Sequence, residues 1–284
     1  MGKVRIVLEM IKFEHTVFAL PFAFLGAFFG SGGFPGWATS GWILVAMVGA
    51  RSAAMAFNRL SDHRFDALNP RTATRALPAG KVSPAFVISF IVFSTALFFW
   101  AAWNLNPLAL ALAPLAMMIV LGYSLTKRFT PLSHLFLGLA LAIAPVGGWV
   151  AARGSLDWKP FLLALAVVFW VAGLDLIYAC QDVEFDRNMG LNSIPQRFGI
   201  RTSLQISRIF HLIMMGFLFL AFWHSGLSWL SWIGFSLVGV SLVYEHSIVR
   251  ASDLSRVNVA FFTMNGVISI ALLLFVGLDL CLMG

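Results

Sequence analysis

The sequence predicts an all-α, polytopic membrane protein of about nine transmembrane helices in one bundle. Three observations carry this. Of the 284 residues, 60% are hydrophobic and only 11% charged, with a mean hydropathy of +0.89. A soluble domain carries about 25% charged residues. Apolar runs near the length that spans a bilayer, about 20 residues, recur along the whole chain. The basic residues gather in every second connection. These features exclude a disordered chain, a disulfide scaffold and an ordinary soluble enzyme.

The spans follow in order. The first, about 16–33, is an Ala/Phe/Leu run closed by Gly32, Gly33 and Pro35; it shows no small-x-small cleavage site and is kept as a span, not a signal. The second, about 38–57, opens beside Trp37 and runs up to Asn58. The third and fourth, about 84–103 and 107–125, each open on a proline, Pro84 and Pro107, which suits a first helical turn. The fifth, about 133–152, follows Pro131, and the sixth, about 160–180, opens on Pro160. The seventh, eighth and ninth cover about 204–223, 227–246 and 259–281. Trp37, Trp103, Trp158 and Trp229 sit near span ends, where an amphipathic ring prefers the headgroup layer. No long polar stretch remains, so residues 1–284 read as a single integral membrane domain.

The net charge of +7 would suggest nucleic acid in a soluble protein; here it reads as membrane topology, with no nucleic-acid partner. The N-terminal segment and the even-numbered connections hold 16 of the 19 basic residues. The odd connections hold Arg153 and Lys159, and Arg51 lies inside span two. The bias predicts a cytoplasmic N-terminus in the cell (inner) membrane. Cys180 and Cys281 lie in separate apolar runs and give no disulfide framework.

Two cytoplasmic connections are long and mix acids with bases, so they are the candidates for function. The first opens Asn58-Arg59-Leu60-Ser61-Asp62-His63-Arg64-Phe65-Asp66. The second opens Tyr178-Ala179-Cys180-Gln181-Asp182-Val183-Glu184-Phe185-Asp186. Asn58, Asp62 and Asp66 align with Tyr178, Asp182 and Asp186 at one constant offset, as in an internal pseudo-repeat. A spacing of four puts each Asp pair on one helical face. Repeats of this kind often place a membrane protein's site at their interface. Four facing carboxylates repel one another and resist burial. A hard divalent cation resolves that, and Mg²⁺ typically bridges carboxylates to phosphates. Arg71, Arg75, Lys127, Arg128 and Arg197 supply the cations for a phosphate site.

No P-loop, nucleophile elbow, zincin motif or dinucleotide fingerprint is present. His15, His134, His211, His224 and His246 are dispersed with no pair at metal-ligand spacing, and read as interfacial or packed. His63, inside the first motif, reads as solvated or as a phosphate contact. A metal–diphosphate site at a membrane face, beside Phe, Trp and Met, points to a long apolar chain with a diphosphate head. A transporter of an anionic or phosphorylated solute is the alternative from another class. It accounts for symmetry and intramembrane charge but poorly for acids paired at one face.

At this point the residues carry a resemblance. Asn58-x3-Asp62-x3-Asp66, followed by Arg71-Thr72-x2-Arg75-Ala76-Leu77-Pro78-x-Gly80, resembles the first signature of the UbiA superfamily of intramembrane prenyltransferases. Asp175-x2-Tyr178-Ala179-x2-Asp182-x3-Asp186 resembles its second signature. Tyr123-x3-Lys127-Arg128-x-Thr130 resembles the segment between them, and Arg51 also matches. The segments 53–59 and 179–186 are most similar to the 4-hydroxybenzoate polyprenyltransferase-like branch. Arg59 stands where many members have Asp, and His15-Thr16 where ubiquinone-type members tend to have Lys-Pro.

The resemblance implies a nine-helix bundle with a cytoplasmic-side active-site cap. It implies Mg²⁺-dependent transfer of a polyprenyl group from polyprenyl diphosphate to an aromatic acid, 4-hydroxybenzoate or 1,4-dihydroxy-6-naphthoate, in ubiquinone or menaquinone biosynthesis. Asp62, Asp66, Asp182 and Asp186 would hold Mg²⁺, with Asn58 beside them. Arg71, Lys127, Arg128 and Arg197 would bind diphosphate, and Tyr123 and Tyr178 either substrate. An acid or base inside a span is a functional candidate in its own right. Asp175 would orient a basic partner or assist proton loss. Arg51 would bind the acceptor's carboxylate or pair with Asp175.

Overall fold

The computed structural model describes residues 3–12 and 16–283; His15 lies outside them. The chain runs through α1 (Lys3–Met10), α2 (Thr16–Ser31), α3 (Trp37–Ser61), α4 (His63–Leu68), α5 (Pro84–Leu105), α6 (Pro107–Thr126) and α7 (Ser133–Arg153). It continues through α8 (Lys159–Ala179), α9 (Val183–Met189), α10 (Ile194–Phe198), α11 (Ile200–His224), α12 (Trp229–Ile248) and α13 (Asn265–Met283). A π-helical turn, Val259–Met264, leads into α13. Among the described residues no strand forms; Arg250 and Asp253 make an isolated bridge.

The protein is an all-helical membrane protein. Seven helical segments among the described residues are long and apolar enough to cross a bilayer. Of the expected spans, the first is an apolar helix over Ala19–Ser31 within the described residues, and one other falls short of that description. In the eighth, α12, serines, tryptophans and the pair Glu245-His246 dilute the apolar run. Span boundaries also differ. Helix α3 continues beyond Phe57 to Ser61, and α11 starts at Ile200, because backbone hydrogen bonding outlasts the apolar run where polar turns leave the bilayer.

The core is built around α8, whose buried residues point in every direction. Trp170 and Leu174 pack with Met214, Leu218 and Phe222 of α11, Val238 and Leu242 of α12, and Ile268, Leu272 and Val276 of α13. A helix apolar on all sides belongs at the centre of such a bundle. Trp37, Trp103, Trp158 and Trp229 are exposed, as expected of rings at span ends.

Small residues let α2 and α7 touch backbone to backbone. A Cβ placed on Gly148 would sit 1.8 Å from the Ala23 carbonyl oxygen, and one on Gly26 1.9 Å from that of Pro145. Lipid tails are as apolar as leucine, so close van der Waals packing supplies much of helix association in a bilayer. Gly148→Ala should therefore force the two helices apart and destabilise the fold by about 1–3 kcal/mol or more. The thermal midpoint in detergent should fall well below that of wild type; an unchanged midpoint would show the crossing to be unimportant.

Candidate active site

Helices α3 and α8 end at the same face of the bundle, each on a polar turn. Asp62 follows the last residue of α3 and begins α4, with its N–H on the Asn58 carbonyl, 2.9 Å. Asp182 closes the 3₁₀ turn Cys180–Asp182 and begins α9. Asp66 and Asp186 follow one turn later on α4 and α9. A helix C-terminus carries partial negative charge, so acids there are unfavourable unless cations are near. Asp62, Asp66, Asp182 and Asp186 all face one cavity of about 350 Å³; Glu184, between the last two, does not line it.

The cations arrive from the connections. Residues 69–82 form consecutive tight turns: Asn69 Oδ1 accepts from the Arg71 N–H at 2.9 Å, and the Thr72 hydroxyl donates to the Asp66 carbonyl at 2.9 Å. These turns fold Arg71 and Arg75 back over the acids. Arg71 donates to both Asp182 oxygens at 3.0 and 2.5 Å and to the Tyr178 hydroxyl at 2.9 Å, its guanidinium lying over the Tyr178 ring. Burial alone would lower the Arg71 pKa, but the hydrogen bond and charge of Asp182, with Tyr178 alongside, hold it above the ordinary value. Arg75 donates to Asp66 Oδ1 at 2.6 Å. Lys127 donates to Asp62 Oδ2 at 2.6 Å, and Asn58 to the same oxygen at 3.2 Å. Ser193, which also caps α10, donates to Asp186 Oδ2 at 2.8 Å.

This donor set suits a hard divalent cation. It consists of carboxylate oxygens from two facing motifs, and Asp66 Oδ2 is buried with no hydrogen-bond donor, Arg59 standing 3.8 Å away. The residues that would hold the ion are Asp62, Asp66, Asp182 and Asp186.

The structure brings Asn58, Asp62, Asp66, Arg71, Tyr123, Lys127, Asp175, Tyr178, Asp182, Asp186 and Arg51 to one cavity. It does not bring Arg128, Arg197 or His63 to its walls. Arg128 reaches back to the Ser61 carbonyl at 2.6 Å and lies over Phe65; Arg197 lies over Phe198. Both are basic residues near a motif in sequence whose side chains the backbone turns elsewhere. The pairing of Arg51 with Asp175 does not form either. Asp175 bonds His134 Nδ1 at 2.7 Å, and His134 Nε2 accepts from the Ile194 N–H at 3.4 Å. Arg51 Nε is buried and unpartnered. From the sequence alone His134 reads as a packed or interfacial residue. Its partner is on another helix 41 residues away, a proximity no local spacing encodes.

A second cavity, of about 450 Å³ and almost wholly apolar, adjoins the first; Arg51, Tyr123 and Leu141 line both. The site is thus polar at one end and greasy at the other. The chain matches the UbiA prenyltransferase family over residues 19–276. It belongs to that family. The prenyltransferase shares 30% identity with the 4-hydroxybenzoate octaprenyltransferase of Methylobacillus flagellatus, over 81% of this chain and 79% of that protein. It shares 28% with the enzyme of that name from Janthinobacterium sp., over 81% of each. Among solved structures, the apo UbiA homologue from Aeropyrum pernix superimposes with a TM-score of 0.86 at 35% identity, covering 94% of this chain and 98% of that one. A UbiA homologue from Archaeoglobus fulgidus bound to DMAPP and Mg²⁺ shares the fold, with a TM-score of 0.75 at 20% identity over 97% and 98% of the chains.

Proposed function

We propose that this member of the UbiA prenyltransferase family is a polyprenyltransferase that joins a polyprenyl chain to an aromatic acid. The donor is polyprenyl diphosphate, and the acceptor is 4-hydroxybenzoate or 1,4-dihydroxy-6-naphthoate, as a step in ubiquinone or menaquinone biosynthesis. One observation carries the reading: four carboxylates, each held by a cation or a hydroxyl, line a cavity that adjoins an apolar one. A diphosphate head and an isoprenoid tail need that pair of environments. The names of the curated relatives and the diphosphate-bound structures with this fold support it. In the same reading the chain is one membrane domain of nine spans with an internal pseudo-repeat. It lies in the cell membrane with its N-terminus and acid cluster on the cytoplasmic side, which the basic even-numbered connections support.

Bound at the four aspartates, Mg²⁺ would polarise the diphosphate and offset the charge that develops as the allylic C–O bond breaks. Arg71, Arg75 and Lys127 are placed to take up the phosphate oxygens, and Tyr178 to donate to them. Arg128 and Arg197 stand outside the cavity, so the reading rests the phosphate contacts on the other three. The apolar walls keep water from the allylic cation. The ring carbon beside a hydroxyl attacks, and the His134–Asp175 pair takes the proton released.

Mass spectrometry of products from purified enzyme, offered mixed aromatic acids and prenyl diphosphates, tests the reading. A prenylated aromatic acid and free diphosphate are the expected products. Diphosphate release with no prenylated aromatic product would overturn it.

Arg51 makes a sharper test of the acceptor. Its side chain faces both cavities from inside α3, and a desolvated carboxylate offers the bidentate partner it lacks. Arg51→Met should raise the acceptor's KM about tenfold or more, the loss of one charge-assisted pair. The prenyl diphosphate's KM should change little, and a phenol without the carboxylate should lose less. Equal weakening of both substrates would make Arg51 a diphosphate ligand.

A further inference from the structure

Away from the aspartates, α11 and α12 bring three metal-ligating side chains together inside the bundle. His211 Nδ1 lies 2.9 Å from His246 Nε2 and 3.5 Å from Glu245 Oε1. The ligand atoms of all three lie within 4.8 Å of one another. Their 35-residue sequence separation hides this grouping from any motif search. Glu245 is fully buried, and neither of its carboxylate oxygens has a hydrogen-bond partner. A lone carboxylate in an apolar interior is strongly unfavourable unless a cation or a proton meets it.

The surroundings of His211 favour the cation. Its ring is seated against α8 at Gly173, where an added Cβ would come within 2.4 Å of Nε2. The hydroxyl of Ser207, one turn earlier on α11, donates to the Gly173 carbonyl at 2.8 Å and fixes the crossing. His211 Nε2 lies 3.2 Å from the Trp170 carbonyl oxygen, which can only accept. The Nε2–H tautomer is therefore required, and the Nδ1 lone pair points at His246 and Glu245. A backbone carbonyl that orients the far nitrogen is the usual companion of a ligating histidine. Zinc bonds of about 2.0–2.1 Å at a tetrahedral angle place neighbouring donors about 3.3 Å apart. The two distances from His211 Nδ1 bracket that value.

We propose that His211, Glu245 and His246 form a buried site for a borderline divalent transition metal of the zinc type, distinct from the aspartate cluster. Two imidazoles and one carboxylate suit zinc and leave Mg²⁺ poorly served. The ion would tie α12 to α11, and through the seat at Gly173 to α8.

Cobalt is the probe. Protein purified without a histidine tag is equilibrated with Co²⁺ in excess Mg²⁺, which fills the oxygen-ligand site. One tightly held cobalt with visible bands of tetrahedral intensity is expected. Glu245→Gln and His246→Asn should each remove those bands, while the Asp182→Ala protein keeps them. If wild type binds no such cobalt, or if the bands survive in both variants, the proposal is wrong, and a shared proton holds the cluster instead. Should the variants not fold, the cobalt edge spectrum of wild type decides. A shell with two imidazole nitrogens supports the site, and an all-oxygen shell overturns it.

Discussion

Asp62→Ala and Asp182→Ala should each lower turnover at least about 100-fold, close to 3 kcal/mol of transition-state stabilisation, and leave a folded membrane protein. Each removes one carboxylate from the cluster and also strands a cation. Without Asp182, the Arg71 guanidinium keeps only the Tyr178 hydroxyl among its hydrogen bonds. Without Asp62, Lys127 loses its 2.6 Å acceptor. Both stranded cations are partly exposed, so water replaces much of what is lost and the fold should survive. The prediction therefore separates activity from stability. Turnover should collapse while the thermal midpoint shifts by a few degrees. Near-normal turnover in either variant would falsify the paired-motif site. Tyr178→Phe, which removes the hydroxyl that accepts from Arg71, should cost about tenfold, because Arg71 keeps both bonds to Asp182.

Most of this site is legible in the sequence because its acids are spaced by helical geometry. The four-residue step survives into the structure: the Asp66 N–H bonds the Asp62 carbonyl at 2.7 Å. The matching offset between Asn58-Asp62-Asp66 and Tyr178-Asp182-Asp186 is a one-dimensional pattern, and so is the run of apolar spans. What was not legible depends on which way a turn points a side chain. Arg71 and Arg75 come over the acids because Asn69 and Thr72 fold the chain back. Arg128 has a neighbouring lysine in the site, yet its own side chain leaves along Ser61. Arg197 lies within four residues of Ser193, which bonds Asp186, yet it sits on Phe198. The His134–Asp175 and His211–His246 pairs join separate helices, and only packing brings them together. The eighth span shows a related limit. Hydropathy records the composition of a helix, not the neighbours that let a more polar one stay in the bundle.

Removing divalent cations with EDTA should abolish turnover, and Mg²⁺ should restore it, Mn²⁺ being the next best ion for an oxygen-rich site. The ion pairs in the cavity add a second expectation about how the metal binds. Asp62, Asp66 and Asp182 are each occupied by a cation: Lys127, Arg75 and Arg71. A divalent ion must displace those partners, and three freed basic groups beside it then need anions. A diphosphate supplies them. Metal and diphosphate should thus bind together better than either binds alone, and by linkage each should tighten the other by the same factor. A coupling of about 1–3 kcal/mol corresponds to roughly 5–150-fold. Titrating Mg²⁺ with and without an unreactive thiodiphosphate analogue measures it directly. Mg²⁺ affinity should rise at least fivefold when the analogue is present. The rise should shrink in Lys127→Met and Arg71→Met, which leave fewer basic groups to receive the phosphates. Equal Mg²⁺ affinity with and without the analogue would mean that the ion pairs persist in the loaded site, and that the basic residues hold the acids in place without ever meeting the substrate.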